Sequence, residues 1–160
     1  MSRPRFSPPT VAVFVAVILA LFPVLPAAAQ GDVYQKITPD QLFALMHDQG
    51  YDVSLGDSVN GGKLINWEID GFTTVILFFD GGLSIQFYGG VAGGGPSLDK
   101  INAFNRDYRF SRTYLDSKGD PNLELDLDLE GGVTRGRILD YLITCRLALA
   151  NWLANVIAKD

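Results

Sequence analysis

Four carboxylates alternate with four leucines near the C-terminal end of the chain, in the stretch NLELDLDLEGG. The acids are Glu124, Asp126, Asp128 and Glu130, and the leucines are Leu123, Leu125, Leu127 and Leu129. Carboxylates this close together can bind a divalent cation or act as acid and base in a hydrolase. Alternation with a period of two is also typical of a β-strand with one buried face, whose acids are then only its solvent side.

The neighbouring residues complete neither kind of chemical site. A calcium loop beginning at Asp116 would place Lys118 at its third position and Leu127 at its twelfth, where oxygen ligands belong. A glycosidase pair needs two carboxylates about 5–9 Å apart across a cleft, and no pattern marks a cleft beside Asp126 and Asp128. We therefore predict a strand with its leucines in the core, and a protein without catalytic residues, cofactor or metal.

The strand is expected to pair with RFSRTYL across a turn, which decides what faces the acids. With Lys118–Gly119 at the centre of the turn, Arg109 lies opposite Asp128 and Thr113 lies opposite Glu124. Cross-strand pairs of this kind contribute roughly 0.2–1 kcal/mol each, so they select a register more than they stabilise the fold.

Two other arginines bear on this arrangement. The same register sends Arg112 to the leucine face, which is an awkward place for a charge. Either the guanidinium reaches solvent at the edge of the sheet, or the register is wrong. Arg146 falls inside the apolar arc of the last helix, and a buried guanidinium is costly unless an acid meets it. We predict a structural polar network of Arg109, Asp126, Asp128 and Arg146.

Helix and strand signals alternate along the rest of the chain. KITPDQLFALMHDQG predicts a helix with Thr38 as N-cap, Pro39 in its first position and Gln41 completing a capping box. KLINWEID, FTTVILFF and LSIQFY predict an antiparallel meander turned at Asp70-Gly71 and at Asp80–Gly82. A short helix, the second hairpin and a long terminal helix follow. The predicted fold is α+β, an antiparallel sheet with the order α-β-β-β-α-β-β-α, and YDVSL is a candidate extra strand.

The terminal helix carries more apolar surface than one sheet needs. Its association face is predicted to be Leu142, Cys145, Leu149 and Trp152, which recur at spacings of three and four. We expect this face to form a two-fold homodimer, although a helix wrapped by its own domain gives the same pattern. Cys145 is then either a small buried apolar group or the site of an intermolecular disulfide.

Two other features could bind anions. Arg135 and Arg137 follow Gly131-Gly132 in the first turn of the terminal helix, where free N–H groups attract anions; two solvated arginines are the simpler interpretation. The glycine run Gly89–Pro96 lacks the Gly-Lys-Ser/Thr of a phosphate loop and predicts a flexible connection. The single histidine, His47, is expected on the surface of the first helix.

The N-terminus predicts export. Residues 1–29 combine Arg3 and Arg5, the apolar run VAVFVAVILALF and a small-residue cleavage site ending at Ala29. This indicates a cleaved signal peptide, a periplasmic or secreted protein, and a single domain over residues 30–160. The apolar run is shorter than the roughly 20 residues that cross a bilayer, so we expect no membrane span after cleavage. An uncleaved anchor is the alternative.

The net charge and the cysteine count narrow the function further. The full chain carries a net charge of −5 and becomes more acidic when the leader arginines are removed. Nucleic-acid binding needs a basic surface, so that class of partner is not expected. One cysteine permits no internal disulfide, and the hydrophobic core must therefore hold the fold without one.

The stretch FNRDYRFSRTYLDSKGDPNLELDLDLEGGVT, with LSIQFY upstream, resembles the YbjN family of bacterial sensory-transduction regulators. Family members share an Asn-x-x-x-Arg-Phe element, a Tyr-Leu-Asp-x-x-Gly-Asp turn and an acid/aliphatic strand that ends in Glu-Gly-Gly-Val. The matching residues are Asn105, Arg109, Phe110, Tyr114, Leu115, Asp116, Gly119, Asp120, Glu130, Gly131, Gly132 and Val133. The resemblance implies an α+β fold similar to type III secretion chaperones, often dimeric and without enzymatic activity. The first-turn arginines of the last helix depart from the family, where Ser followed by acids is usual.

Together these features predict an exported, non-enzymatic module that binds a segment of an unidentified protein along a sheet face or groove. The alternative is a periplasmic small-ligand-binding protein in which Trp67, Phe87 and Tyr88 line an aromatic pocket.

Overall fold

A six-stranded antiparallel sheet forms the centre of the computed structural model, which describes residues 32–59 and 61–158. In chain order the elements are β1 (Val33–Tyr34), α1 (Pro39–Asp48), β2 (Asp52–Asp57), β3 (Lys63–Ile69), β4 (Phe72–Phe79), β5 (Ser84–Gly90), α2 (Leu98–Asp107), β6 (Arg112–Leu115), β7 (Pro121–Asp128), β8 (Val133–Thr134) and α3 (Arg135–Trp152). The strand order across the sheet is β2-β3-β4-β5-β7-β6, and β1 pairs with β8 in a separate ribbon. The predicted leader lies outside the described residues.

The α+β class predicted from the sequence is confirmed, with additions. YDVSL contributes to an edge strand, β2, and neither strand of the β1–β8 ribbon was expected. A π-helical turn, Leu153–Ile157, extends α3. In the described part of the chain, no helix has the length and hydropathy of a transmembrane span.

Local signals place the first helix and the first hairpin where they were predicted. Thr38 Oγ1 accepts a hydrogen bond from Gln41 N–H at 3.2 Å, and Thr38 N–H donates to Gln41 Oε1 at 2.9 Å, which completes the capping box. Asp70 and Gly71 both adopt positive φ between the paired residues of β3 and β4. A two-residue hairpin turn of this type matches the twist of its strands, and Asp-Gly adopts it readily.

The hydrophobic core lies between the three helices and one face of the sheet. All four leucines of the acidic strand are buried in it, which confirms the predicted leucine face. Other large buried side chains are Trp67, Ile65, Ile76, Ile85 and Phe87 from the strands, and Leu42, Met46 and Trp152 from the helices. Burial contributes roughly 1.5–3 kcal/mol per large apolar side chain, so core packing alone explains why leucines alternate along β7.

The predicted register of the β6–β7 hairpin is wrong by one residue. Arg112 lies opposite Glu124, and Thr113 lies opposite a leucine on the buried side of the strand. The hydroxyl of Thr113 accepts a hydrogen bond from Trp152 Nε1–H at 2.8 Å and donates one to the carbonyl of Asn122 at 2.7 Å. The charge of Arg112 therefore leaves the leucine face, where the predicted register had placed it.

The turn between β6 and β7 explains the shift. It spans Asp116–Asp120, because Leu115 pairs with Pro121, and its centre is Lys118. The carboxylate of Asp116 accepts hydrogen bonds from the N–H groups of Asp120 at 2.9 Å and Lys118 at 2.8 Å, and these bonds lower the pKa of Asp116. Gly119 supplies the positive φ that closes the turn.

The face of α3 predicted to join two chains belongs to the domain's own core. Leu142, Cys145, Leu149 and Trp152 are at most 1 % exposed. They belong to the same core cluster as the buried residues of the sheet, so this apolar stripe packs within the domain. Cys145 has the predicted role of a small buried apolar group, and burial raises the pKa of its thiol. A thiol enclosed in this way cannot reach a second chain while the domain is folded.

The opposite side of α3 is in solvent. Arg146 is exposed, so the prediction that it is buried against an acid is wrong. It lies beside Ile143 and Leu147, whose exposed fractions are 52 % and 61 %. The apolar arc of the helix is therefore divided into a buried stripe and an exposed one, and the arginine belongs to the exposed one.

Candidate functional site

One face of the sheet packs against the helices, and the other carries no helix in the described part of the chain. We call it the uncovered face, and its side chains come from alternate residues of all six strands. They include Ser54, Leu64, Asn66, Glu68, Thr73, Val75, Leu77, Gln86, Tyr88, Arg112, Tyr114, Asn122, Glu124, Asp126 and Asp128. Leu64, Val75 and Leu77 are partly exposed near its centre and lie outside the core cluster.

Glu124 is the most enclosed acid of the uncovered face. It is 6 % exposed, and its carboxylate accepts hydrogen bonds from Arg112 Nε at 2.6 Å and from the Tyr114 hydroxyl at 2.7 Å. A second guanidinium nitrogen of Arg112 also contacts the carboxylate. The side chain of Arg112 is 65 % exposed, so this ion pair has one buried and one solvated partner. Such a pair fixes the hairpin register and keeps the buried charge neutralised.

The tyrosines beside Glu124 stay protonated at ordinary pH. Burial raises the pKa of Tyr114 to about 12, and its hydrogen bond to the carboxylate adds to the rise. Burial also raises the pKa of Tyr88, with a further contribution from the negative charge of Glu124. Both phenols therefore act as hydrogen-bond donors on this face, and neither is poised to serve as a base.

A cavity of about 320 Å³ lies at one end of the uncovered face. Tyr88, Asn122, Asp116 and Asp120 line it together with Val75. The hydroxyl of Tyr88 donates a short hydrogen bond to Asn122 Oδ1. The cavity is therefore rich in oxygen atoms and acidic, in keeping with the net negative charge of the chain.

The glycine run closes on an acid from its own chain. The N–H groups of Gly93 and Gly94 both donate to Asp120 Oδ1 at 2.9 Å. Successive backbone N–H groups of this kind form an anion-binding concavity, and here a carboxylate already fills it. The run thus joins β5 to α2 and is anchored to the β6–β7 turn, so these two groups are not free to hold phosphate.

The structure does not bring together the four residues of the predicted polar network. Asp126 accepts a hydrogen bond from Gln86 Nε2 at 2.8 Å, and Asp128 Oδ1 accepts one from a backbone N–H at 2.8 Å. Arg109 precedes β6, and its guanidinium lies 4.9 Å from the ring centre of Phe110. With Arg146 exposed on α3, neither arginine meets the acids. Sequence reasoning missed Arg112 as the partner of Glu124, although the awkward placement of Arg112 was a sign that the register was shifted.

The two first-turn arginines of α3 do not converge on a free anion site. Arg135 N–H donates to the carbonyl of Asp32 at 2.9 Å, and Arg137 N–H donates to Thr134 Oγ1 at 3.2 Å. The guanidinium of Arg137 pairs with Asp140 at 2.7 Å. Arg135 and Arg137 line different cavities, so the predicted anion site is not formed by these side chains.

The aromatic pocket of the alternative hypothesis is not formed either. Trp67 and Phe87 are buried in the core with their ring centres 5.8 Å apart. Tyr88 lies on the uncovered face, because it is the next residue along the strand. Among the described residues, no group of three or more His, Cys, Asp or Glu side chains is placed to hold a metal ion. His47 is exposed as predicted, stacked 5.8 Å from the ring of Phe43.

Comparison with known proteins identifies relatives of this chain. The model of the YbjN family, described as "Putative bacterial sensory transduction regulator", matches residues 38–154. A search of curated proteins gave no match. Among solved structures, the chain is similar to the crystal structure of YbjN from E. coli, described as "a putative transcription regulator". The TM-score is 0.57 at 15 % identity, over 77 % of this chain and 95 % of that one, so this likeness concerns the fold.

The family model spans α1 to α3 and includes both the uncovered face and the hairpin that carries Glu124. The match therefore rests on the whole six-stranded domain and not on a single motif. The chain belongs to the YbjN family.

Proposed function

We propose that this chain is a non-catalytic regulatory module that binds a segment of a partner protein on the uncovered face of its sheet. The observation that carries the proposal is the position of Leu64, Val75 and Leu77, which are partly exposed near the centre of that face and outside the core. An apolar centre with a polar rim is typical of a protein-binding surface. The family description, a sensory transduction regulator, agrees with a role in partner binding.

The rim of the uncovered face favours a basic partner. Acids outnumber cations around the apolar centre, and Arg112 is already paired with Glu124. Asp126 and Asp128 remain exposed on the same face. Complementary charge increases the association rate and disfavours acidic competitors, so a cationic amphipathic segment fits this surface best.

We further propose that the module acts outside the cytoplasm, as a periplasmic or secreted protein, and that it forms a homodimer. The export proposal rests on the leader pattern of residues 1–29. The dimer proposal now rests on Ile143 and Leu147, since the stripe expected to associate is buried. Mass spectrometry of the protein recovered from cells tests export, and we expect a mature chain that begins after Ala29.

Analytical ultracentrifugation tests the homodimer. We expect the wild type to sediment as a dimer and the Ile143→Glu variant to sediment as a monomer.

Affinity capture with matched variants tests the partner-binding proposal. The tagged mature domain is exposed to a cell-envelope extract as wild type, Leu77→Glu and Ile143→Glu. We expect the wild type and Ile143→Glu to retain the same protein, and Leu77→Glu to lose it, because a charge at the apolar centre disrupts the contact. Equal retention by Leu77→Glu and the wild type, with both variants folded, would contradict binding on the uncovered face.

A further inference from the structure

The strand β7 runs beyond the end of its neighbour at the edge of the sheet. The pairing with β6 stops where Arg112 lies opposite Glu124, while β7 continues to Asp128. Asp126 and Asp128 are both exposed at this point. One side of the strand therefore lacks a neighbour for its last residues.

The hydrogen bonds of β7 show which backbone groups lie on that open side. Leu129 N–H donates to the carbonyl of Leu83, on the β5 side, at 2.8 Å. Backbone groups alternate in direction along a strand, so the odd-numbered residues of β7 bond toward β5 and the even-numbered residues face away. The N–H and C=O groups of Asp126 and Asp128 consequently point past the end of β6. Outside the strand ladders and helices, no backbone hydrogen bond among the described residues involves Asp126 or Asp128.

The rest of this edge is closed by α2. Asn105 Nδ2 donates to the carbonyl of Thr113 at 2.9 Å, and Thr113 N–H donates to Asn105 Oδ1 at 2.9 Å. The amide side chain thus satisfies the outward N–H and C=O of Thr113 as a neighbouring strand would, which blocks strand addition at this residue. The open stretch at Asp126 and Asp128 has no such cover.

Phe110 lies beside the open stretch in a conformation that keeps β6 from extending along it. Its φ is 69°, in the left-handed region that bulky side chains rarely adopt. The ring is 71 % exposed, so the fold holds a large aromatic side chain in solvent at this edge. A cavity of about 440 Å³ opens below. Phe110, Leu125 and Tyr141 form its apolar side, and Asp126, Thr144 and the Arg137–Asp140 ion pair line the rest.

We propose that the Asp126–Asp128 edge of β7 accepts an extended segment of a partner protein with the pattern basic–apolar–basic, added as a strand in line with β6. The backbone groups of Asp126 and Asp128 pair with the segment, as in other peptides added to a sheet edge. Residues opposite the two aspartates lie on the uncovered face, where the carboxylates favour Lys or Arg. The residue between them points to the helix side, toward the cavity, and is apolar. This docking edge does not depend on binding at Leu64, Val75 and Leu77.

The probe is the labelled peptide acetyl-Thr-Lys-Val-Lys-Thr-amide, titrated to millimolar concentrations into the ¹⁵N-labelled mature domain. We expect saturable shifts of the Asp126 and Asp128 amides. A peptide with Glu in place of both Lys residues should bind the wild-type domain roughly tenfold more weakly. The lysine peptide should bind the Asp126→Asn, Asp128→Asn double variant more weakly by the same factor, because each change removes two exposed ion pairs. Methylation of the two lysine amide nitrogens should abolish binding, because it removes the backbone donors.

Two control variants separate this edge from the other surfaces. Asp52→Asn alters the opposite edge strand, β2, and Leu77→Glu alters the centre of the uncovered face; both should bind the lysine peptide as the wild type does. Shifts confined to the amides of β2, equal affinity for the Lys and Glu peptides, or no saturable binding would each overturn the proposal. Loss of peptide binding in Leu77→Glu with its fold retained would also overturn it, since the segment would then lie across the centre of the face.

Discussion

Replacing Thr113 with valine tests the register of the β6–β7 hairpin, because this side chain is buried only in the observed register. Thr113 is 2 % exposed, and its hydroxyl links Trp152 Nε1–H to the carbonyl of Asn122. Valine has nearly the same shape as threonine. The substitution therefore removes two hydrogen bonds while it leaves the packing volume almost unchanged.

The size of the effect follows from the groups left without partners. Each lost hydrogen bond contributes roughly 0.5–1.5 kcal/mol, and an indole N–H left unpaired in the core costs roughly 1–3 kcal/mol. Burial of the new methyl group offsets roughly 0.8 kcal/mol. We expect the free energy of unfolding to fall by about 2–3 kcal/mol, which lowers the Tm by roughly 6–15 °C for a domain of this size.

Urea denaturation and thermal melts, followed by circular dichroism, measure the loss. The matched control is Thr73→Val, an exposed strand position whose hydroxyl donates to Glu68 Oε1 at 2.6 Å. The control should change the free energy of unfolding by less than about 0.5 kcal/mol. If Thr113→Val proves as stable as the wild type, Thr113 faces solvent and the hairpin has the register in which it pairs with Glu124.

The other predictions concern the buried acid, a close backbone contact and alkaline pH. Arg112→Leu should lower the free energy of unfolding by about 1–2 kcal/mol, because it leaves a buried carboxylate without its cation. Arg146→Leu, at an exposed position, should change it by less than about 0.5 kcal/mol. If urea denaturation shows Arg146→Leu to be the less stable variant, the observed register is contradicted. Gly82→Ala should destabilise far more than Gly81→Ala, since both have positive φ but only at Gly82 would a Cβ lie 2.3 Å from a backbone carbonyl oxygen. Equal Tm values for Gly82→Ala and Gly81→Ala would show that the backbone at Gly82 does not lie this close to the carbonyl oxygen. The pKa of Tyr114, raised from 10.0 to about 12, means that the folded state holds the proton more tightly. That stabilisation is complete below pH 10 and is lost as the pH rises through about 12. Between these pH values the free energy of unfolding should therefore fall less for Tyr114→Phe than for the wild type. Equal losses would show that the phenol is not enclosed.

Local chemistry made much of this fold predictable. The capping box at Thr38 and the Asp70-Gly71 turn depend on residues within a few positions of one another, so their sequence patterns suffice. The buried leucines of β7 follow from strand periodicity and the hydrophobic effect. These features needed no knowledge of the tertiary structure.

The candidate site was harder to predict because its contacts depend on the hairpin register and on the packing of residues far apart in the sequence. A turn centred on Lys118 and one centred between Lys118 and Gly119 contain similar residues, yet they exchange the faces of Arg112 and Thr113. The terminal helix is apolar over most of its surface, so only the way in which it docks on the sheet decides that Cys145 is buried and Ile143 is exposed. Neither the hairpin register nor the buried face of the terminal helix is indicated by a local sequence pattern.

The central claim is that the partner binds to the uncovered face, on the side of the sheet opposite the leucines of β7. Site-specific photo-crosslinking tests this claim most directly, in living cells that express the full chain. A photoreactive amino acid is placed at Leu77 on that face or at Ile143 on α3. We predict that irradiation yields a defined protein adduct from position 77, and that the Leu77→Glu domain cannot capture the same protein. An adduct with a protein other than a second copy of this chain that forms at position 143 and not at position 77 would contradict the claim. It would assign partner binding to the helix side of the domain.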